Sequence, residues 1–245
     1  MKSVIYVILL FSFVNISTEQ LPPSIKLCRR SDPKLGECII NSINHLKPLL
    51  ATGDLGPGLQ IPPQEPSKID DIYIGESDGI QIVLTNVTIH GTSQFHIQKL
   101  RANMQDLKMD AILLYPKLEM TGHFQFRANL FGRTVTNDGE VVIKIINSVN
   151  RITIKMQKFI KNGKEYIKFE DVSIKIKSSK PSSVELKGIF GSKTLNEIAG
   201  ALVRENPLFK SDRMNPYFEK SLSQTMTKVA NQIVSTATFD ETFPL

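Results

Sequence analysis

The stretch ILLYPKLEMTGHFQFRANL, residues 112–130, decides the class of fold. Ile112, Leu114, Leu118, Met120, Phe124, Phe126, Ala128 and Leu130 share one parity, and Lys117, Glu119, Thr121, His123, Gln125, Arg127 and Asn129 share the other. A period of two held over that length predicts a long strand with one buried face and one wet face. The same period runs through residues 69–190, broken at intervals by turn residues, and predicts an antiparallel meander. Upstream, Ile80, Ile82 and Leu84 form an inward row. Downstream, Asn137-Asp138-Gly139 reads as a turn into Val141, Ile143 and Ile145, and Ile152, Ile154 and Met156 follow residues 147–151. Asn162-Gly163 is the signature of a two-residue hairpin of the primed type. Beyond it Ile167 and Phe169 alternate, then Val172, Ile174 and Ile176 do so on the opposite parity, which predicts a bulge near Glu170-Asp171. Val184, Leu186 and Phe190 close the sheet.

On either side of the sheet the period returns to that of a helix. Over residues 37–50, Ile39, Ile40, Ile43, Leu46, Leu49 and Leu50 form a stripe that Gly53 stops. Gly56-Pro57-Gly58, Ile61-Pro62-Pro63 and Pro66 then exclude both helix and central strand, leaving a linker or a covering arm. Leu195, Ile198, Ala199 and Leu202 suggest a helix that breaks at Asn206-Pro207. Phe218, Leu222, Met226, Val229 and Ile233 lie on one stripe of a long last helix, with Asn215 as its cap and Pro216 at its first position. The tail from Phe239 to Pro244 is too apolar for a free end and is expected to dock. A one-sided sheet followed by a one-sided helix is satisfied when the sheet curls around the helix, so the expectation is an α+β, elongated single domain.

Composition narrows the rest. The 245 residues are 41% hydrophobic and 22% charged, which argues against disorder, collagen and coiled coil. Thirty Lys+Arg against 24 Asp+Glu give a net charge of +6, but the basic residues alternate with apolar ones, so nucleic acid is not expected as a partner. Lys2, the apolar run from Val4 to Val14 and the polar residues after it read as a secretory signal over residues 1–18, leaving a mature domain over 19–245. Eleven apolar residues are too few to span a bilayer, and no later stretch is long enough, so stable membrane insertion is not expected. Secretion places Cys28 and Cys38 in an oxidising compartment as a close, even pair, the pattern of a disulfide. It also makes Asn86-Val87-Thr88 a usable glycosylation sequon.

Catalytic readings fail on context. Gly75-Glu76-Ser77-Asp78-Gly79 matches a hydrolase nucleophile elbow, which requires a helix after the serine, whereas a strand pattern follows. Gly191-Ser192-Lys193-Thr194 lacks the Gly-Lys pair and upstream glycine of a phosphate loop. His45, His90, His96 and His123 lack metal-ligand spacing. No enzyme, cofactor or metal is expected.

Cys28 and Cys38 with Ile39-Ile40, Gly58-x-x-Ile61-Pro62-Pro63-x-Glu65-Pro66-x-x-Ile69-Asp70, Leu84-Thr85-Asn86-Val87-x-x-x-Gly91, Tyr115-Pro116-Lys117-Leu118 and Phe239-Asp240-Glu241-x-Phe243-Pro244 together resemble the takeout and haemolymph juvenile-hormone-binding protein family of insects. The resemblance covers nearly all of the mature chain. It implies a long C-terminal helix wrapped by a highly curved antiparallel sheet (TULIP-like) around an apolar tunnel, and one disulfide near the N-terminus, here Cys28 to Cys38. A single pair is similar to the takeout branch and departs from the hormone carriers, which have a second; the departure weighs against juvenile hormone as the ligand. The family also implies roles in feeding, chemosensory or clock-linked physiology.

The expected function is a secreted, monomeric carrier of a small hydrophobic ligand such as a terpenoid, fatty acid or related signal lipid. Its expected wall is Ile80, Ile82, Leu84, Ile112, Leu114, Leu118, Met120, Phe124 and Phe126 from the sheet, with Phe218, Leu222, Met226 and Val229 from the helix. The alternative is a membrane-docking lipid-exchange protein, which needs an exposed apolar or strongly basic tip. The sequence offers only the Pro-rich arm around Ile61 for that part.

Overall fold

The computed structural model describes residues 21–75, 80–130, 133–188 and 211–245. The expected leader, the Ser77 segment, the 191–194 motif and the stripe of residues 195–202 lie outside them.

Helix α1, Leu35–Thr52, ends where Gly53 adopts φ 82° and its N–H donates to the Leu49 carbonyl at 2.8 Å, the stop expected from glycine. Cys28 and Cys38 are bonded and tie the preceding segment to the first turn of this helix. The Pro-rich stretch is an arm that covers. Leu55, Leu59 and Ile61 are buried against Val229 and against Leu46, Leu49 and Leu50 of α1. The Glu65 carboxylate then accepts from the N–H groups of Gly91 and Ser93 at 2.8 and 3.0 Å, fastening the arm to the turn that follows His90.

The sheet comprises β1 (Ser67–Lys68), β2 (Ile72–Ile74), β3 (Ile80–His90), β4 (His96–Asn103), β5 (Lys108–Leu130), β6 (Arg133–Lys161) and β7 (Lys164–Lys187). Its order is β1-β3-β5-β6-β7, with β2 also on β3 and β4 also on β5, all pairs antiparallel. It curls into a half-barrel around α2, Ser211–Val234. A short α3, Phe239–Thr242, follows.

Two turn expectations hold and one does not. Asn162 and Gly163 have φ 52° and 74° between the paired Lys161 and Lys164, the primed two-residue hairpin. Lys155 pairs with Asp171 and Met156 with Phe169, which leaves Glu170 as the extra residue of the expected bulge. Asn137-Asp138-Gly139, however, lies within β6, opposite Phe126, Gln125 and Phe124, and the chain reverses between Leu130 and Arg133. The glycine serves close approach instead of a turn. A Cβ there would collide with the Lys187 carbonyl and lie 3.2 Å from the Phe124 ring.

The expected single buried parity of β5 is also corrected. Up to Tyr115 the buried face carries odd residues, with Met109, Leu113 and Tyr115 in packed clusters. From Leu118 it carries Leu118, Met120, Phe124 and Phe126. Strand β6 swaps at the same place, from Ile152 to Val141 and Ile143. Tyr115 pairs with Ser148 and Lys117 with Ile146; between these rungs stand Pro116, which has no N–H to give the ladder, and Asn147 at φ 52°. Both strands roll over at that rung, so α2 meets apolar side chains at both ends. Ile112 and Leu114 consequently fall on the face opposite Leu113. A second left-handed residue, Asn86 at φ 52°, sits at the register shift of β3 and lets Ile82, Leu84, Val87 and Ile89 all be buried.

Helix α2 departs from its expected start, because Asn215 and Pro216 lie within it. An interior proline costs about 3 kcal/mol. Packing of Met214, Tyr217 and Phe218 around it against the sheet offsets that cost. The tail docks as expected, with Phe239 3% and Phe243 9% exposed.

Candidate functional site

The candidate site is the seam between α2 and the concave face of the sheet, and a stripe of polar residues holds the helix in place there. Glu219, Ser223, Thr227 and Asn231 follow one another at intervals of four along α2. Their side chains accept from the backbone N–H groups of Ile176 (2.8 Å), Ile174 (2.9 Å), Val172 (3.0 Å) and Phe169 (2.8 Å) on the edge of β7. Asn231 also donates back to the Phe169 carbonyl at 2.9 Å. The fit is one of pitch: four helical residues rise about 6 Å and two strand residues about 6.6 Å. Where the strand takes three residues, from Phe169 to Val172, the Glu170 bulge absorbs the extra one. The helix thereby replaces a strand at an edge that would otherwise bare its N–H groups. Sequence reading followed the apolar stripe and missed this one; the i, i+4, i+8, i+12 spacing of short polar residues beside it was the available signal.

Registered this way, α2 turns its apolar stripe to the sheet. The expected wall residues sort into three groups. Ile82, Leu84, Met120 and Phe124 are buried in one cluster, with Leu118, Phe126, Phe218 and Leu222 half-buried against it. Leu222 and Met226 pack on a second cluster of Leu113, Ile152, Val172 and Ile174, so Leu222 joins the two. Val229 is buried under the arm. Ile112 and Leu114 are off the seam, and the side chain of Ile80 is outside what is described.

Three polar residues face the same interior and were not foreseen. Ser148 and Asn150 are 3% and 7% exposed, and the Ser148 hydroxyl donates to Asn150 Oδ1 at 3.1 Å. They stand opposite Tyr115 and Leu113 and so share their face. Burial pushes the Tyr115 phenol up to about 12.

An open cleft of about 1210 Å³ lies beside the seam, between the β1–β2 segment, β3 and the first half of α2. Ile69, Ile72, Val87 and Tyr217 line it together with Lys68 and Lys220, and none of the expected wall residues does. Asn86, exposed at its bulge, stands on its rim. Among the described residues no cluster of three His, Cys, Asp or Glu side chains could hold a metal.

The structure of Takeout 1 from Epiphyas postvittana matches 90% of this chain and 100% of its own at 15% identity, with a TM-score of 0.68, a likeness of fold. Lipopolysaccharide binding protein fits more loosely, over 84% of this chain and 39% of its own, at 11% identity and a TM-score of 0.36. No curated protein sequence matches. The model of the haemolymph juvenile hormone binding protein family matches residues 6–244, and the chain belongs to that family.

Proposed function

We propose that the protein is a secreted, monomeric, non-enzymatic carrier that holds one small hydrophobic molecule between α2 and the curled sheet. The observation that carries this reading is the row of apolar side chains facing each other across the seam while only half-buried: Leu118, Phe126 and Ile143 from the sheet, Phe218, Leu222 and Met226 from the helix. Family membership and the Cys28–Cys38 bond support a secreted carrier. Among the described residues no helix is long and apolar enough to cross a membrane.

The energetics suit a terpenoid or fatty-acid chain. Burying about fifteen carbons contributes about 12 kcal/mol; at the low end of the association cost, about 4 kcal/mol, about 8 kcal/mol remains, a micromolar affinity. Methylenes discriminate poorly among themselves, so selectivity falls to the half-buried Tyr115 and the buried Ser148 and Asn150, which suit a ligand with one hydrogen-bonding group on an apolar chain.

Solvent extraction of natively purified mature protein, followed by mass spectrometry, tests the reading. Leu222→Trp, placed where the two clusters meet, serves as the filled control. A stoichiometric lipid lost in Leu222→Trp is expected. An empty protein that also ignores added terpenoids and fatty acids would overturn the carrier role.

A further inference from the structure

The hairpin that joins β6 to β7 extends past the packed end of the molecule, and every residue from 157 to 165 is exposed. Its tip carries two large apolar side chains, Phe159 at 39% and Ile160 at 69% exposure. They point to opposite faces of the ribbon. Phe159 stacks on its cross-strand partner Tyr166 at 5.8 Å between ring centres, while Ile160 pairs with Glu165. Around them stand Lys155, Lys158, Lys161, Lys164 and Lys168, with Glu165 the single acid between residues 155 and 168. Lys158 is paired with Glu165 at 2.8 Å and covers the Phe239 ring, and Lys164 lies in the field of Glu241. Among the described residues, Lys155, Lys161 and Lys168 have no carboxylate at ion-pair distance. The Pro-rich arm, the sequence's one candidate for such a tip, does not supply it: its Ile61 is buried.

We propose that this tip docks the protein on a bilayer that contains anionic lipid. Phe159 and Ile160 enter the boundary between headgroups and acyl chains, and the lysines meet lipid phosphates. The opposed directions of the two apolar side chains favour a fluid partner. A flat protein surface covers one face of a two-stranded ribbon, whereas a bilayer interface closes around both. The excess of positive charge selects the sign of the surface. The attachment is peripheral, by two side chains and a charged collar. Docking rests on the carrier reading for its purpose, the collection or release of a lipid-like ligand, but not for its occurrence.

Flotation of the full mature chain with vesicles of phosphatidylcholine containing about one-third phosphatidylserine, at low salt, tests it. Co-flotation is expected, with none on pure phosphatidylcholine. Ile160→Asp should weaken binding about tenfold or more. Reversing Lys161 and Lys168 to Glu should weaken it by about 25-fold or more, at about fivefold per lysine removed. All three side chains are exposed, so melting temperatures should not move, and the lipid extracted from Ile160→Asp should equal that of the wild type. A wild type that stays out of the vesicles, or an Ile160→Asp protein that floats equally well, overturns the proposal; a protein interface at the tip is then the remaining use of the pair. Flotation by a protein that carries no ligand would sink the carrier reading and leave docking standing.

Discussion

The two ends of the β5–β6 ribbon, on either side of the Pro116–Asn147 rung, are built from the same strands and finished differently. Toward the tail, Met109, Met156, Ile167, Val234, Phe239 and Phe243 form a closed plug. The tail is bolted over it: Arg30 donates to Asp240 at 2.6 Å and lies 4.9 Å from the centre of the Phe239 ring, and its N–H donates to the Pro244 carbonyl at 2.7 Å. Toward the other end, the face that meets α2 keeps Leu118, Phe126, Ile143, Leu186, Met214 and Phe218 half-buried. Two phenylalanines on a pinned tail fill space that a helix held along one sheet edge leaves partly open. Tight and looser packing are thus separated along one ribbon.

Truncation at the closed end should have the largest effect. Phe239→Ala removes a buried ring on which Arg30 and Lys158 both rest. It should cost about 3–5 kcal/mol, or about 6–20 °C in melting temperature, while ligand bound per folded molecule stays unchanged. Loss of ligand in step with stability would show that the plug and the seam are one unit. The edge ladder comes next. Asn231→Ala leaves the Phe169 N–H and carbonyl without their partners, at a cost of about 1–3 kcal/mol. Amide exchange should quicken first at Phe169 and Val172; uniform quickening along β7 would mean the helix does not guard the edge bond by bond.

The β5 pattern that announced the sheet also explains where sequence reading stopped. Alternation along residues 112–130 gave a strand with a buried face, and Leu118 to Phe126 obey it. Ile112 and Leu114 do not, because periodicity assumes that the face is constant, and the roll at Pro116 depends on Asn147, 31 residues later and directly across the ladder. Asn137-Asp138-Gly139 misled for a related reason. Glycine is required both by tight turns and by close backbone approach, and only the neighbour, here Lys187, distinguishes them. Local signals without such rivals were read correctly: the Asn162-Gly163 hairpin, the Gly53 stop, the Glu170 bulge and the docked tail. The seam between α2 and the sheet was legible as apolar stripes. Its polar residues were not, since Ser148 and Asn150 lie in a stretch that sequence patterning treats as a break.

At the open end the balance should invert. Phe218→Ala touches a half-buried ring, so the stability lost should be about 1–2 kcal/mol, less than at Phe239, while the affinity for a bound lipid falls. Fluorescent fatty-acid titration alongside thermal melting reads both. If Phe218→Ala costs as much as Phe239→Ala and spares binding, the open end is ordinary core and the contrast between the ends disappears.

The smallest effect is a dependence on pH at the closed end. Thr238 donates to the Glu241 carboxylate from its N–H and its hydroxyl, both at 2.8 Å, and the hydroxyl accepts from the Glu241 N–H at 3.2 Å. The two bonds from Thr238, helped by the charge of Lys164, hold the Glu241 carboxyl below its ordinary value of 4.5. A carboxyl whose folded pKa is depressed binds its proton more readily in the unfolded chain. Its contribution is therefore complete above about pH 4.5 and drains away as the pH falls through that value toward the folded one. Glu241→Gln removes the titration without changing the shape of the side chain. The wild type should exceed this variant in urea midpoint at pH 7, and the gap should close toward pH 3. The apolar side chains of the seam do not titrate, so affinity for an uncharged terpenoid should hold over the same range while the tail loosens. A gap that persists unchanged into acid would show that the tail is held by its two phenylalanines alone and that the capping carboxylate is incidental to the plug.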